Sequence, residues 1–253
     1  MRLAEAGLDG AAIHMTKAFG ADVSRRFFLR GAAVVAGGLA VPASLAKTKS
    51  GAVLDLPAAR DVRPIEVVRA SRAAEVAKLG EAAREVRPEL FKKAMAALQR
   101  HGDAIRKCDR IAIADFSRSS SRPRFHLVNL EDGETTTLLV AHGSGSDPAH
   151  TGYLSRFSNL PNSNASSEGA FLTSDYYVGK HGRSQRLVGL DATNNNALPR
   201  AIVVHGAWYA NADMLAKHGK LGRSQGCFAV GEGDLARVFA RLGEGRMIYA
   251  AKV

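Results

Sequence analysis

Two short segments bring together residue types suited to nucleophilic chemistry. One is Ile202-Val203-Val204-His205-Gly206, an apolar run ending in His-Gly. The other is Gly222-Arg223-Ser224-Gln225-Gly226-Cys227-Phe228-Ala229-Val230. A thiol with a pKa of about 8.5 is only a few per cent thiolate at neutral pH. An imidazole within reach takes its proton and raises that fraction. Twenty-two positions separate His205 from Cys227, enough for a strand end and a returning loop to meet. A cysteine after glycine in a Ser-x-Gly-Cys turn can hold its sulfur in the open beside backbone N–H groups, which suit an oxyanion.

The remaining candidates have weaker signals. Arg223 either grips a carboxylate bidentately or is a solvated arginine. His181, in Lys180-His181-Gly182, either meets substrate or closes a turn, and His218 reads as a surface residue of a loop. The only other cysteine, Cys108, lies between a helical segment and a strand and reads as a core thiol. A Cys108–Cys227 disulfide would silence the site. The spacing of His181, His205, His218 and Cys227 fits no zinc pattern, so no metal is expected. No Gly-rich dinucleotide loop or haem signature is found, so no cofactor is expected.

The elements that must position these groups are short. Ile65 to Gln99 reads as helical. Val68, Ala73, Val76 and Leu79 share one face, with Gly80 as a stop. Pro88 then opens a second helix carrying Leu90, Phe91, Ala94 and Leu98, closed by His101-Gly102. After it the pattern turns to strands: Arg110 to Phe116, Phe125 to Leu130, Thr135 to Val140, Phe171 to Thr173, Arg186 to Leu190, Ala201 to His205 and Met247 to Ala251. Asp132-Gly133 between two apolar runs is a hairpin signal. Ser155 to Glu168, rich in Ser, Asn and Gly, reads as a long surface loop, a kind often functional. Asp234 to Leu242 reads as a short helix.

Upstream, Ser24-Arg25-Arg26-Phe27-Phe28-Leu29-Arg30 precedes an apolar run from Gly31 to about Ala40 and small residues to Ala46. This is the order of an export signal, and the paired arginines resemble the twin-arginine type. Residues 1–46 are therefore expected to be cut off after Ala46, with Met1 or Met15 as the start. Residues 47–64 read as a linker. The apolar run is too short for a stable membrane span. The chain carries a formal charge of +11. Residues 1–46 hold five Lys/Arg and three Asp/Glu, so the rest carries +9. A basic surface attracts any polyanion. Aromatics are only 6% and no helix-turn-helix or zinc-finger pattern occurs, so nucleic acid is not expected.

The His-Gly and Ser-x-Gly-Cys words resemble the catalytic signature of L,D-transpeptidases with a YkuD-type domain. The surrounding words are similar to the murein L,D-transpeptidase catalytic-domain branch. They are Asp115-Phe116-Ser117, Val140-Ala141-His142-Gly143, Lys180-His181-Gly182, Arg200 to Gly206 and Leu221 to Cys227. The resemblance covers residues 108–253 and not the helical segment 65–107. It implies a mainly β, YkuD-like strand-rich sandwich with short helices, preceded by that small helical segment. It also implies a cysteine acyltransferase acting on peptidoglycan stem peptides in the periplasm or cell envelope. Cys227 would be the nucleophile and His205 the base. The Gly206 carbonyl would orient the ring, and the Gly226 and Cys227 N–H groups would hold the oxyanion. Ser224, Arg223, Gln225, His181 and Tyr176 are the substrate-binding candidates, although a core role suits Tyr176 slightly better. A 3–3 cross-linking transpeptidase is the leading reading. L,D-carboxypeptidase activity at the same Cys–His site and a non-catalytic wall-binding protein are the alternatives. A carbapenem adduct on Cys227 is a further expectation. Many relatives carry His where this chain has Gln225, an amide that cannot titrate, so His205 is the only base in the motif.

Overall fold

The computed structural model describes residues 65–253, with the backbone alone for residues 65–72. The expected export signal and the linker lie outside the described residues. Two helices lead, α1 (Ile65–Ala82) and α2 (Pro88–Arg100). Next come β1 (Arg110–Asp115), β2 (Phe125–Asn129) and β3 (Thr135–Leu138). A long hairpin follows, β4 (Gly169–Gly179) and β5 (Gly182–Gly189). The chain closes with β6 (Val203–Gly206), α3 (Asp213–His218), β7 (Phe228–Val230), α4 (Leu235–Leu242) and β8 (Met247–Ala251).

All eight strands form one sheet in the order β3-β2-β1-β8-β4-β5-β6-β7. Its two ends meet. The Ala141 N–H, just beyond β3, donates to the Ala229 carbonyl of β7 at 2.8 Å. Gly143 bridges to Ser224. The Phe125 and Phe228 rings, from opposite ends of the strand order, lie 6.1 Å apart. The expected sandwich is therefore one curled sheet whose inner face closes on itself. Every strand contributes to that inner core, among them Ala112, Phe125, Leu138, Phe171, Leu187, Val204, Phe228 and Ile248, with Val238 and Leu242 of α4.

Strand alternation sends the other side chains outward. Ile111, Ile113, Met247 and Tyr249 meet the apolar stripe of α2, namely Leu90, Phe91, Ala94, Ala97 and Leu98. So α2 covers the outer face of β1 and β8. Asp115, fully buried at the end of β1, receives both Arg87 Nε (2.8 Å) and Arg87 Nη2 (2.7 Å), which fixes the turn before α2.

The Asp132-Gly133 hairpin joins β2 and β3 as expected. Three expectations are corrected. Gly80 does not stop α1, which runs on to Ala82. A Cβ there would lie 3.2 Å from Phe91 Cδ1, so the glycine permits close packing on α2. Cys108 is exposed, not a core thiol, and both cysteines are free. His218 ends the short helix α3 in an exposed position and does not lie in a loop. The hairpin β4–β5 is longer than the apolar pattern predicts, because Ser174, Asp175, Lys180 and Arg183 at its outer end carry no alternation signal.

Candidate active site

β6 and β7 lie side by side and parallel, pairing Val204 with Phe228 and His205 with Ala229. Val204 and Phe228 both enter the inner core. Alternation then turns Val203, His205, Cys227 and Ala229 to the opposite face. Cys227 is the last residue of the turn before β7, next to Val203 in register. His205 is one pleat further along the same face.

Gly226 sets the angle at which the chain enters β7. Its φ is +112°, a backbone conformation unfavourable for residues with a Cβ. An added Cβ would lie 2.6 Å from the Ala165 carbonyl oxygen and 2.8 Å from Ile202 Cδ1. Ser224, buried at 4% exposure, braces this turn from inside. Its hydroxyl donates to the Cys227 carbonyl at 2.8 Å and accepts from the Gly226 N–H at 3.1 Å. The Gly226 N–H is thus already engaged. Arg223 is tied to the Asp147 carbonyl and, at 3.2 Å, to that of Pro148.

Cys227 is half-buried as a residue. Its S–H donates to the Ala201 carbonyl at 3.5 Å. Ala201 adopts φ +53°, a strained setting for a residue with a Cβ, and it is this residue whose carbonyl meets the thiol. Burial pushes the Cys227 thiol up, against the Val203 N–H and the cations Lys180 and Arg200, which favour the thiolate. Burial pulls the His205 imidazole down, against its bond to the Gly206 carbonyl, and His181 and Lys180 push the same way.

His205 Nδ1 lies 2.9 Å from the Gly206 carbonyl oxygen. A carbonyl only accepts, so Nδ1 carries the proton and Nε2 keeps its lone pair. The His181 ring, at the β4–β5 turn, stacks on the His205 ring with centroids 4.2 Å apart. The structure thus gathers Cys227, His205, Gly206, Gly226, Ser224 and His181 in one place. Gln225 is exposed in the same turn. Tyr176 is not brought to this face. It pairs with Gln185, next to Val204, and packs edge-on against Phe239 of α4 at 4.9 Å, the core role.

Arg200 is a site residue that residue-type reasoning overlooked. Its guanidinium makes four bonds to the 158–167 loop: to the Ser158 carbonyl (2.9 Å), Ser167 Oγ (2.6 Å), Ser163 Oγ (3.2 Å) and the Ala165 carbonyl (2.6 Å). It fixes that loop beside Gly226 and adds positive charge near the sulfur. Its only sequence signal was its place at the head of the Arg200 to Gly206 word. Among the described residues no group of three His, Cys, Asp or Glu side chains could hold a metal ion.

A family model described as L,D-transpeptidase catalytic domain matches residues 82–251. The chain belongs to this family. Among solved structures it is similar to an L,D-transpeptidase from Mycobacterium smegmatis, with a TM-score of 0.35 and 13% identity over 56% of this chain and 58% of that one. An L,D-transpeptidase from Mycobacterium tuberculosis H37Rv gives 0.37 and 13% over 56% and 57%. An L,D-transpeptidase in complex with imipenem gives 0.34 and 14% over 56% and 59%. The chain thus spans a little over half the length of these proteins. No curated protein matches it.

Proposed function

We propose that the chain is a cysteine acyltransferase that forms 3–3 cross-links between peptidoglycan stems. The Cys227 sulfur attacks the carbonyl carbon of the diaminopimelate residue at position 3 of a stem tetrapeptide, and His205 Nε2 takes the thiol proton. The backbone N–H of Cys227 serves the oxyanion. The intermediate collapses with cleavage of the C–N bond. His205 returns the proton to the departing D-Ala amine, leaving a thioester on Cys227. The amine of a second stem then attacks the thioester, gives its proton to His205, and displaces the sulfur.

One observation carries this reading. His205 is anchored through Nδ1 to the Gly206 carbonyl, so its Nε2 lone pair is available on the strand face that bears the half-buried Cys227. Membership of the L,D-transpeptidase family supports it. The leader in residues 1–46 would carry the protein to the periplasm or cell envelope. Among the described residues no helix is long and apolar enough to cross a membrane.

Purified muropeptides incubated with the protein and resolved by mass spectrometry provide the test. Cross-linked dimers with release of D-Ala are expected, and none with Cys227→Ala. Tripeptides alone would make the protein an L,D-carboxypeptidase. Muropeptide binding with neither product would make it a wall-binding module. Treatment with a carbapenem should add the mass of the opened drug to the wild-type chain and not to Cys227→Ala.

A further inference from the structure

A cleft lies away from the Cys227 face. It holds about 490 Å³ and is lined by Arg84, Glu85, Arg118, Arg122, Pro123, His126 and Thr137. None of these residues takes part in the site described above. Arg84 and Glu85 come from the segment between α1 and α2. His126 and Thr137 are paired across β2 and β3.

The floor of the cleft contains an incomplete hydrogen-bond chain. His126 is fully buried. Its Nδ1 lies 3.0 Å from Thr137 Oγ1, and the Thr137 hydroxyl donates to Glu85 Oε2. A hydroxyl has one proton, so Thr137 accepts from His126 Nδ1–H. His126 Nε2 is then a bare acceptor. It is buried and has no partner, a costly state in a native interior. Burial holds this imidazole neutral, with its pKa pulled down to about 4. With its single ring proton on Nδ1, the neutral imidazole offers only an acceptor at Nε2.

The walls are cationic. Arg84 and Arg122 are exposed and make no ion pair among the described residues. Arg118 reaches Asp115 at 3.5 Å through Nε. With Arg118 held by Asp115, the two guanidinium groups of Arg84 and Arg122 outnumber the carboxylate of Glu85 and favour an anion, best a carboxylate taken bidentately. The acceptors His126 Nε2 and Glu85 ask for an N–H donor. The volume far exceeds that of a small inorganic ion and suits the end of a short peptide.

We infer that this cleft binds the carboxylate end of a peptide or acylamino acid, with its last amide N–H on His126 Nε2 and its carboxylate on Arg84 and Arg122. The inference is independent of the catalytic reading, because it uses other residues. N-acetylglycine is the smallest probe carrying both groups. Titrated into the full chain, it should shift the His126 ring signals in a proton–carbon NMR spectrum, a readout local to the cleft. Acetate, which lacks the N–H, and N-acetylglycinamide, which lacks the carboxylate, should each bind at least about tenfold more weakly. The double variant Arg84→Gln/Arg122→Gln changes two exposed side chains and should also weaken binding at least about tenfold. The proposal is overturned if His126 does not respond. Equal binding of acetate or inorganic phosphate would also overturn it, since the cleft would then take any anion. So would unchanged affinity in the double variant.

Discussion

Two His-Gly pairs in this chain share a local sequence and serve opposite ends. His142-Gly143 follows β3 and His205-Gly206 ends β6, and both imidazoles are about 1% exposed. Burial pulls both down, His142 to about 4. They differ in how many ring nitrogens are used. His142 Nδ1 accepts from Arg124 Nη2 at 2.7 Å, and its Nε2–H donates to Asp147 Oδ2 at 3.3 Å. The buried Arg124 in turn grips the Val140 carbonyl at 2.9 Å, and Asp147 receives the Thr151 and Gly152 N–H groups at 2.8 Å each. This histidine is a fully bonded strut. His205 has one nitrogen fixed and one left over. Burial and a lowered pKa are thus common to both rings; what separates them is the ring nitrogen that His205 leaves without a partner.

The comparison breaks most sharply by exchanging the losses. His205→Ala should cut muropeptide turnover by roughly 10³-fold, with thermal unfolding nearly unchanged. His142→Ala should leave Arg124 and Asp147 short of partners and cost about 3 kcal/mol, read from chemical denaturation. If His205→Ala proved the more destabilising, or His142→Ala the more damaging to chemistry at a temperature where both are folded, the assignment of strut and base would fail.

A second test uses acid. Burial pulls the His142 and His126 imidazoles down to about 4, below the ordinary histidine value of about 6.5. The unfolded chain therefore binds more protons between these limits. The stability they protect is complete above pH 6.5 and is lost as the pH falls towards 4, by up to about 3 kcal/mol for each residue. Denaturant midpoints measured across that range should fall accordingly, and the slope should shrink in His142→Ala.

A smaller effect is expected at Arg200. Arg200→Gln removes a cation near the sulfur and loosens the 158–167 loop. Alkylation of Cys227 by iodoacetamide at fixed pH should slow by roughly threefold to tenfold. In the wild type its pH midpoint should lie above the ordinary thiol value of about 8.5, because burial pushes the thiol up. Unchanged reactivity would restrict Arg200 to holding the loop. Smallest is Ala201→Gly, which relieves a positive φ and should change stability by no more than about 1 kcal/mol. Any change in alkylation rate at equal stability would mean that the strained carbonyl orients the thiol.

The sequence alone named the candidate residues of this site, Cys227 and His205. Cys227 after glycine, an apolar strand ending in His205, the Asp132-Gly133 hairpin and the amphipathic α2 are local patterns, and local patterns are written in consecutive residues. Tertiary structure decided what those patterns could not contain. The sheet closes through Ala141 and Ala229, so the edges of a nominal open sheet meet. Tyr176, partly buried, packs against the core because the register with Gln185 and Val204 puts it on the inner face. Cys108 is exposed in the segment between α2 and β1. Arg200 and the cleft under His126 depend on residues far apart in sequence. Whether a ring nitrogen or a guanidinium is already bonded depends on contacts that only the folded chain makes.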